Sequence, residues 1–146
     1  MSPCCREYQS GSATVEFAIV ASIAFFLIFA IIDFSFAFYM NHLVTDVSRM
    51  GARYAMVRGS TCKSADCPAT SDSIQTYVRG ISPIADPTQM TVATTWSSGY
   101  GCSSKPYQAP GCTVIVTVTY PYHFGGAFLK SLVMPIASAS RNTISQ

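Results

Sequence analysis

The sequence predicts an α+β protein, in which a long N-terminal helix carries a small domain with a short helix and an antiparallel sheet of about three strands. An uninterrupted apolar run early in the chain has the length of a membrane-spanning helix. Later segments alternate apolar and polar residues, as half-buried strands do. The 146 residues leave room for one anchor and one small domain of roughly 90 residues.

The predicted membrane span is residues 17–40. This stretch contains one formally charged residue, Asp33, and it exceeds the roughly 20 residues that a helix needs to cross hydrocarbon. A cleaved secretory signal is the alternative, but its apolar region is usually about 7 to 15 residues long. Only Arg6, offset by Glu7, supplies side-chain positive charge before the run. The run therefore favours a retained anchor.

Apolar residues at helical spacing extend the prediction beyond the membrane. They indicate one helix from about Ser12 to Arg58, about 70 Å long at 1.5 Å per residue, with Gly59 as its stop. The apolar residues after the span form one seam along this helix, which consists of Leu43, Val47, Met50, Tyr54 and Val57. We expect this seam to pack on the chain's own domain, with packing on a partner helix as the alternative.

In the later part of the chain, Met90 to Trp96 and Val114 to Tyr120 alternate as strands, and a weaker strand is expected at Ile136 to Ser140. A short helix is expected, with Ser71 or Asp72 as its N-cap and with its end near Gly80 and Pro83. Ile74, Tyr77, Val78 and Ile81 would share one face of it.

The cysteines lie on both sides of the apolar run. An even number of cysteines follows the run, in a domain too small for a large hydrophobic core. This predicts two disulfides in an oxidising compartment. Spacing favours Cys62 with Cys67 and Cys102 with Cys112, although three pairings are possible for four cysteines. A zinc site is the alternative, but C-x4-C and C-x9-C are unusual ligand spacings. We predict no metal site.

Charge and disulfides point to opposite orientations. The basic residues after the span would place that side in the cytoplasm by the positive-inside rule, whereas disulfides require it to be outside. We favour the cysteines, because the arginines lie on the continuing helix rather than in a free loop. The basic residues concerned are Arg49, Arg53, Arg58 and Lys63.

Composition argues against several functions. Charged residues make up 11% of the chain and the formal net charge is +2, so no polybasic surface exists to bind nucleic acid. His42 and His123 are the only histidines, and neither adjoins a nucleophile or paired carboxylates. We predict no catalytic residues, no enzyme activity and no cofactor.

Two acidic residues accompany the apolar run, and their presence requires an explanation. A charged side chain at the bilayer centre costs about 2.5 to 3.5 kcal/mol of insertion free energy. One interpretation is that Glu16 and Asp33 lie near the headgroups. The other follows from spacing: Gly11 is followed by Glu16 at the fifth position and then by the apolar run. This arrangement resembles prepilin processing sites.

Within the pilin class, residues 11–59 resemble the TadE-like proteins of the tight-adherence (Tad, or Flp) pilus system. The resemblance rests on the junction from Gly11 to Phe17, the second acid Asp33, and the Ala/Arg-rich helix end from Ser48 to Gly59. The late alternating strand from Val114 to Tyr120 adds to it. An outer domain distinguishes the chain from the shorter major pilins, so the resemblance implies a minor pseudopilin with a pilin-like fold.

The resemblance further implies cleavage by a prepilin peptidase after Gly11. Ser12 would become the new N-terminus, and its ammonium would pair with Glu16 of an adjoining subunit. Residues 1–11 would be a cytoplasmic leader, 12–59 the transmembrane helix and stem, and 60–146 an extracytoplasmic domain on a single-pass protein of the inner membrane. Implied partners are other pilins and pseudopilins, the pilus assembly machinery, the prepilin peptidase and membrane lipid.

Two alternatives stay open. One is an uncleaved single-pass anchor that carries a surface binding domain, and the other is a secreted disulfide-stapled domain released by an ordinary signal peptidase. The mature N-terminus separates these hypotheses. It is Ser12 after prepilin processing, Met1 or Ser2 in the uncleaved anchor, and a position beyond residue 30 in the secreted form.

Overall fold

The predicted α+β class is confirmed by the fold. The computed structural model describes residues 9–84, 86–97, 107–125 and 131–145. Two helices cover one face of a three-stranded antiparallel sheet of order β1-β2-β3. The elements are α1 (Gln9–Met56), α2 (Ser71–Ile81), a 3-10 turn (Pro87–Gln89), β1 (Thr91–Ser97), β2 (Thr113–His123) and β3 (Val133–Thr143).

Helix α1 contains 48 residues and is therefore about 72 Å long. It contains no proline, and most of its first half consists of alanine and bulky apolar residues, so the backbone ladder is uninterrupted. It begins slightly before the predicted Ser12. It ends at Met56, and the N–H groups of Val57 and Arg58 still donate to the carbonyls of Arg53 and Ala55.

The N-cap of helix α2 lies one residue before Ser71, the nearer of the two predicted caps. Thr70 is the N-cap, and its hydroxyl accepts from the Ser73 N–H while the Ser73 hydroxyl accepts from the Thr70 N–H. Two hydroxyl residues three apart thus form the reciprocal cap. Gly80 lies inside the helix, which ends at Ile81 because Ser82 precedes a proline and is extended.

The sheet places its valines inward. β1 and β2 pair with Val92 opposite Val118 and Trp96 opposite Val114. The alternation predicted for both strands is confirmed, because Val114, Val116 and Val118 are fully buried while their neighbours face outward. These valines form the centre of the core beneath the two helices.

Strand β3 is longer than the predicted Ile136 to Ser140. It extends to Val133 on one side and to Thr143 on the other, because β2 offers a partner along its whole length. Its first residues lack alternation and are exposed, so their pattern carried no strand signal. Pro135 lies opposite Pro121 in this extension.

Candidate membrane and assembly site

The first half of α1 is apolar on every side and lies outside the fold. Helix Gly11–Met56 is long and apolar enough to cross a membrane, and none of its most apolar 18-residue window, of mean hydropathy 2.7, is buried in the protein. A helix that is apolar all round needs lipid or other helices around it. This half is therefore compatible with single-pass membrane anchoring.

The predicted processing residues lie at the exposed start of α1. Gly11 and Ser12 are in the first helical turn, and the space where a Gly11 Cβ would stand is open. Glu16 lies on the same exposed segment. Among residues 9–84, 86–97, 107–125 and 131–145, the Glu16 carboxylate has no hydrogen-bond or ion-pair partner. A charge so placed is available to a group on another chain.

Asp33 occupies a different environment from Glu16. The two acids are about 26 Å apart along the helix at 1.5 Å per residue. Asp33 is partly buried, and its Oδ1 lies 3.7 Å from the position that a Gly125 Cβ would take. Its charge also acts on Tyr122, a nearly buried residue near the end of β2. Asp33 thus marks the level at which the domain first meets the helix.

The predicted span of 17–40 is shared between two environments. Ala37 is buried, and Met40 packs against the same core, so the last residues of the apolar run contact the chain's own domain. Residues 12–32 precede these contacts. They form about 31 Å of helix at 1.5 Å per residue, which matches the roughly 30 Å of bilayer hydrocarbon.

The second half of α1 meets helix α2 and the sheet through small side chains. A Cβ added at Gly51 would lie 2.7 Å from Val78 Cγ2 and 3.3 Å from Val116 Cγ1. The Ser48 hydroxyl donates to the Thr45 carbonyl and lies 3.3 Å from the Ser138 hydroxyl. The buried stripe is Val44, Val47, Ser48, Gly51, Ala52 and Ala55.

The predicted seam is therefore partly wrong. Val47 is buried, but Met50 and Val57 are exposed at 48% and 41% of their surfaces. The bulkiest side chains did not mark the contact face, because α1 lies too close to α2 and the sheet to admit them. A repeat of Ser, Gly and Ala at helical spacing was the signal that sequence reasoning missed.

The displaced seam residues line an open groove between α1 and α2. The rings of Tyr54 and Tyr77 stack with centroids 4.2 Å apart, and the Arg58 guanidinium lies 3.9 Å above the Tyr54 centroid. Met50, Arg53 and Val57 complete the lining. This groove lies at the far end of the stem from the predicted span.

The structure contains a disulfide between Cys62 and Cys67, the pair that spacing favoured. Cys112 is also disulfide-bonded and fully buried. Its predicted partner, Cys102, lies outside the described residues. The loop that contains the Cys62–Cys67 bridge joins α1 to α2, and the Ala69 N–H donates to the Arg58 carbonyl at 2.9 Å. These bonds tie the distal loops to the end of the stem.

The histidines lie apart from one another. The His42 ring meets the Phe38 ring edge-on, with centroids 4.7 Å apart, and His123 is exposed at the end of β2. No cluster of three or more His, Cys, Asp or Glu side chains that could hold a metal ion occurs within the described part of the chain.

Comparison with known proteins agrees with the geometry of α1. The family model described as TadE-like protein matches residues 11–53. This segment includes Gly11, Ser12, Glu16 and Asp33, the exposed apolar half of α1, and most of the stripe that packs on the sheet. No curated protein and no solved structure matches the chain. The predicted resemblance is confirmed over residues 11–53, which match the TadE-like family model.

Proposed function

We propose that this protein is a minor pseudopilin that takes part in assembly of a Tad/Flp-type adhesive pilus after a prepilin peptidase cuts it behind Gly11. The match to the TadE-like family over residues 11–53 carries the proposal. It is supported by the exposed apolar half of α1, which has the surface that a helix packed among lipids or other pilin-like helices requires. The domain would then meet other pilus parts outside the membrane.

Local structure around Gly11 suits proteolysis. A peptidase must approach the backbone closely, and no atom of the described residues crowds the position of a Gly11 Cβ. The bond lies near the start of α1 as the structure describes it. Glycine also makes the turn easier to open, since it is about 1 kcal/mol less favourable than alanine in a helix.

After the cut, the Ser12 ammonium would find its partner in the Glu16 carboxylate of an adjoining subunit. Glu16 is exposed, and no described group of its own chain pairs with it. The two positions are about 6 Å apart along the helix, so a small axial stagger between neighbouring helices brings the charges together. The pair would relieve the cost of holding two charges at the membrane edge.

The membrane span that this proposal uses is residues 12–32 rather than the predicted 17–40. Its length matches the hydrocarbon core, and it places Glu16 near one boundary and Asp33 at the other. The leader 1–11 would lie in the cytoplasm, and the disulfide-bonded domain in an oxidising compartment outside the inner membrane. The stem beyond residue 33 belongs to that domain.

The mature N-terminus tests the proposal. Protein extracted from native membranes should begin at Ser12 by intact mass and N-terminal sequencing. Gly11→Val should leave the leader attached, because a β-branched side chain would crowd the scissile backbone. Ala13→Val adds the same branched side chain two residues later on the exposed helix and serves as the matched control, with processing retained.

The same measurement separates the alternatives. A wild-type protein that begins at Met1 or Ser2 would contradict processing and support an uncleaved single-pass anchor with a surface binding domain. A start beyond residue 30 would support a secreted domain. Either result, obtained from cells that assemble pili, overturns the proposed processing.

A further inference from the structure

We propose that the membrane-facing end of the domain rests in the lipid interface, so that α1 and the start of β3 contact the bilayer together. The surface concerned is a membrane-end patch formed by Phe34, Phe38, Leu132, Val133 and Met134. Its occupant is the lipid of the membrane that α1 crosses. The inference rests on the proposed membrane anchoring and adds a second contact with the same bilayer.

The patch is apolar and open. Phe34 and Phe38 are exposed at 72% and 56% of their surfaces, and Leu132, Val133 and Met134 at 52%, 45% and 42%. A groove between α1 and β3 runs through it, with Met134 and Pro135 on the strand side. Large apolar side chains clustered at one end of a domain indicate a surface that is covered in use.

Its level along α1 places the patch at the bilayer surface. Met134 pairs with Tyr122, whose surroundings include Asp33, and Gly125 lies next to Asp33. The start of β3 is therefore level with the point where the helix leaves the proposed span. Phe34 and Phe38 follow Asp33 by about 1.5 to 7.5 Å of helix, which is within the interfacial layer outside the hydrocarbon. Aromatic residues are enriched at that depth.

Continuity with the exposed half of α1 favours lipid over a second copy of the chain. Phe34 directly continues the surface that hydrocarbon must surround, and the groove that it lines with Phe38 and Met134 joins that surface to the start of β3. Strand addition by another chain is disfavoured at this place. The Pro121 and Pro135 pair lacks N–H groups, so Pro135 removes a hydrogen-bond donor from the outer edge of β3.

Tryptophan reporters in the full chain test the contact. Trp96, the only tryptophan, lies at the opposite end of the sheet and is replaced by phenylalanine. Val133→Trp is the reporter, and Leu132→Trp is the second reporter if the first disturbs the fold by circular dichroism. Phe25→Trp marks the bilayer interior, and Val57→Trp, at an exposed site on the distal stem, is the matched control in water.

Each variant is reconstituted into vesicles of zwitterionic and anionic phospholipids brominated either near the carbonyl end or deep in the acyl chain. The shallow bromines should quench the emission of Val133→Trp more strongly than the deep ones, and this emission should be blue-shifted. The deep bromines should quench Phe25→Trp more strongly than the shallow ones. Neither set of bromines should quench Val57→Trp. Should Trp96→Phe unfold the domain, Trp96 is retained, and its emission is subtracted as an unquenched reference.

Quenching at Phe25→Trp without quenching at Val133→Trp or Leu132→Trp would overturn the patch proposal and leave the anchor standing. A blue shift at Val133→Trp that depends on protein density, again without quenching, would assign the patch to a second copy and also overturn it. If the bromines quenched neither Phe25→Trp nor Val133→Trp, the anchoring itself would be overturned.

Discussion

The two halves of α1 are one continuous helix in two environments. From Gly11 to Ile32 nearly every residue is exposed, and bulky apolar side chains point in all directions. From Ala37 to Met56 one stripe is buried against the chain's own sheet, and polar residues such as Arg49 lie outside. By hydropathy alone, the first half would be interpreted as the buried core helix of a domain, and the second half as a helix on its surface.

The difference teaches that the distribution of side-chain size around a helix reports what it packs against. A surface meant for lipid is large and apolar all round. A surface meant for a closely packed sheet is small, as at Ser48, Gly51 and Ala55, because backbone approach rather than side-chain bulk sets the contact. The boundary between the two regimes lies at Asp33, where a charge meets the end of the domain.

The largest effect is expected at Glu16, on the exposed half. Glu16→Leu should leave the helix inserted but reduce surface pili roughly tenfold or more, because an unpaired ammonium in the membrane costs more than the about 1.4 kcal/mol that a tenfold change represents. Pili are counted by immunoelectron microscopy, and insertion is checked by carbonate extraction. Ser22→Leu, which removes a polar group without a charge, is the control. Normal piliation with Glu16→Leu would disprove the pairing.

On the packed half, Gly51→Val should destabilise the domain by about 3 kcal/mol, since overpacking a tight core costs about 1 to 3 kcal/mol and occasionally more. The new Cβ alone would contact Val78 Cγ2 at 2.7 Å. Gly80→Val, at a helical glycine with open space, should change stability by less than about 0.5 kcal/mol. Urea unfolding in mild detergent, followed by Trp96 fluorescence, measures both. Equal effects would mean that α1 does not approach α2 and the sheet so closely.

A matched pair of valines compares the halves directly. Val47→Ala removes buried methyl groups and should cost about 2 kcal/mol of unfolding free energy. Val20→Ala removes the same groups from an exposed site and should change the unfolding free energy of the domain by less than about 0.5 kcal/mol. A comparable loss from Val20→Ala would show that the first half of α1 also packs on the domain. The same unfolding assay applies.

Sequence reasoning predicted the features that depend on local pattern. The long helix, the short helix and the strands at Val92 and Val116 follow from periodicity, and the TadE-like junction from Gly11 to Glu16 follows from spacing. The Thr70 cap was missed by one residue, because several hydroxyl and acidic residues there compete for the same role.

The features that were missed depend on tertiary contact. The close approach at Gly51 is decided by Val78 and Val116, which are distant in sequence. The early part of β3 is a strand because β2 pairs with it, although Pro135 and the exposed residues before it carry no strand pattern. The surroundings of Asp33 likewise depend on Gly125 and Tyr122, which are distant in sequence.

The smallest expected effect lies at the boundary between the halves. Desolvation raises the pKa of Tyr122 above its ordinary value, and the negative charge of Asp33 raises this pKa further. As pH rises past about 10, the unfolded chain loses this proton before the folded one, so stability is complete below that pH and falls as pH approaches the raised folded pKa.

Asp33→Asn should therefore lower the pKa of Tyr122 while leaving it above that of a free phenol, since desolvation, the larger cause, remains. Phenolate absorbance is titrated for the protein and for Tyr122→Phe, and the difference isolates this tyrosine from the other seven. Asp46→Asn, which removes an exposed acid farther along α1, is the control and should leave the titration unchanged. An unchanged pKa in Asp33→Asn would mean that the carboxylate does not face Tyr122, and the boundary between lipid-facing and domain-facing helix would then lie elsewhere.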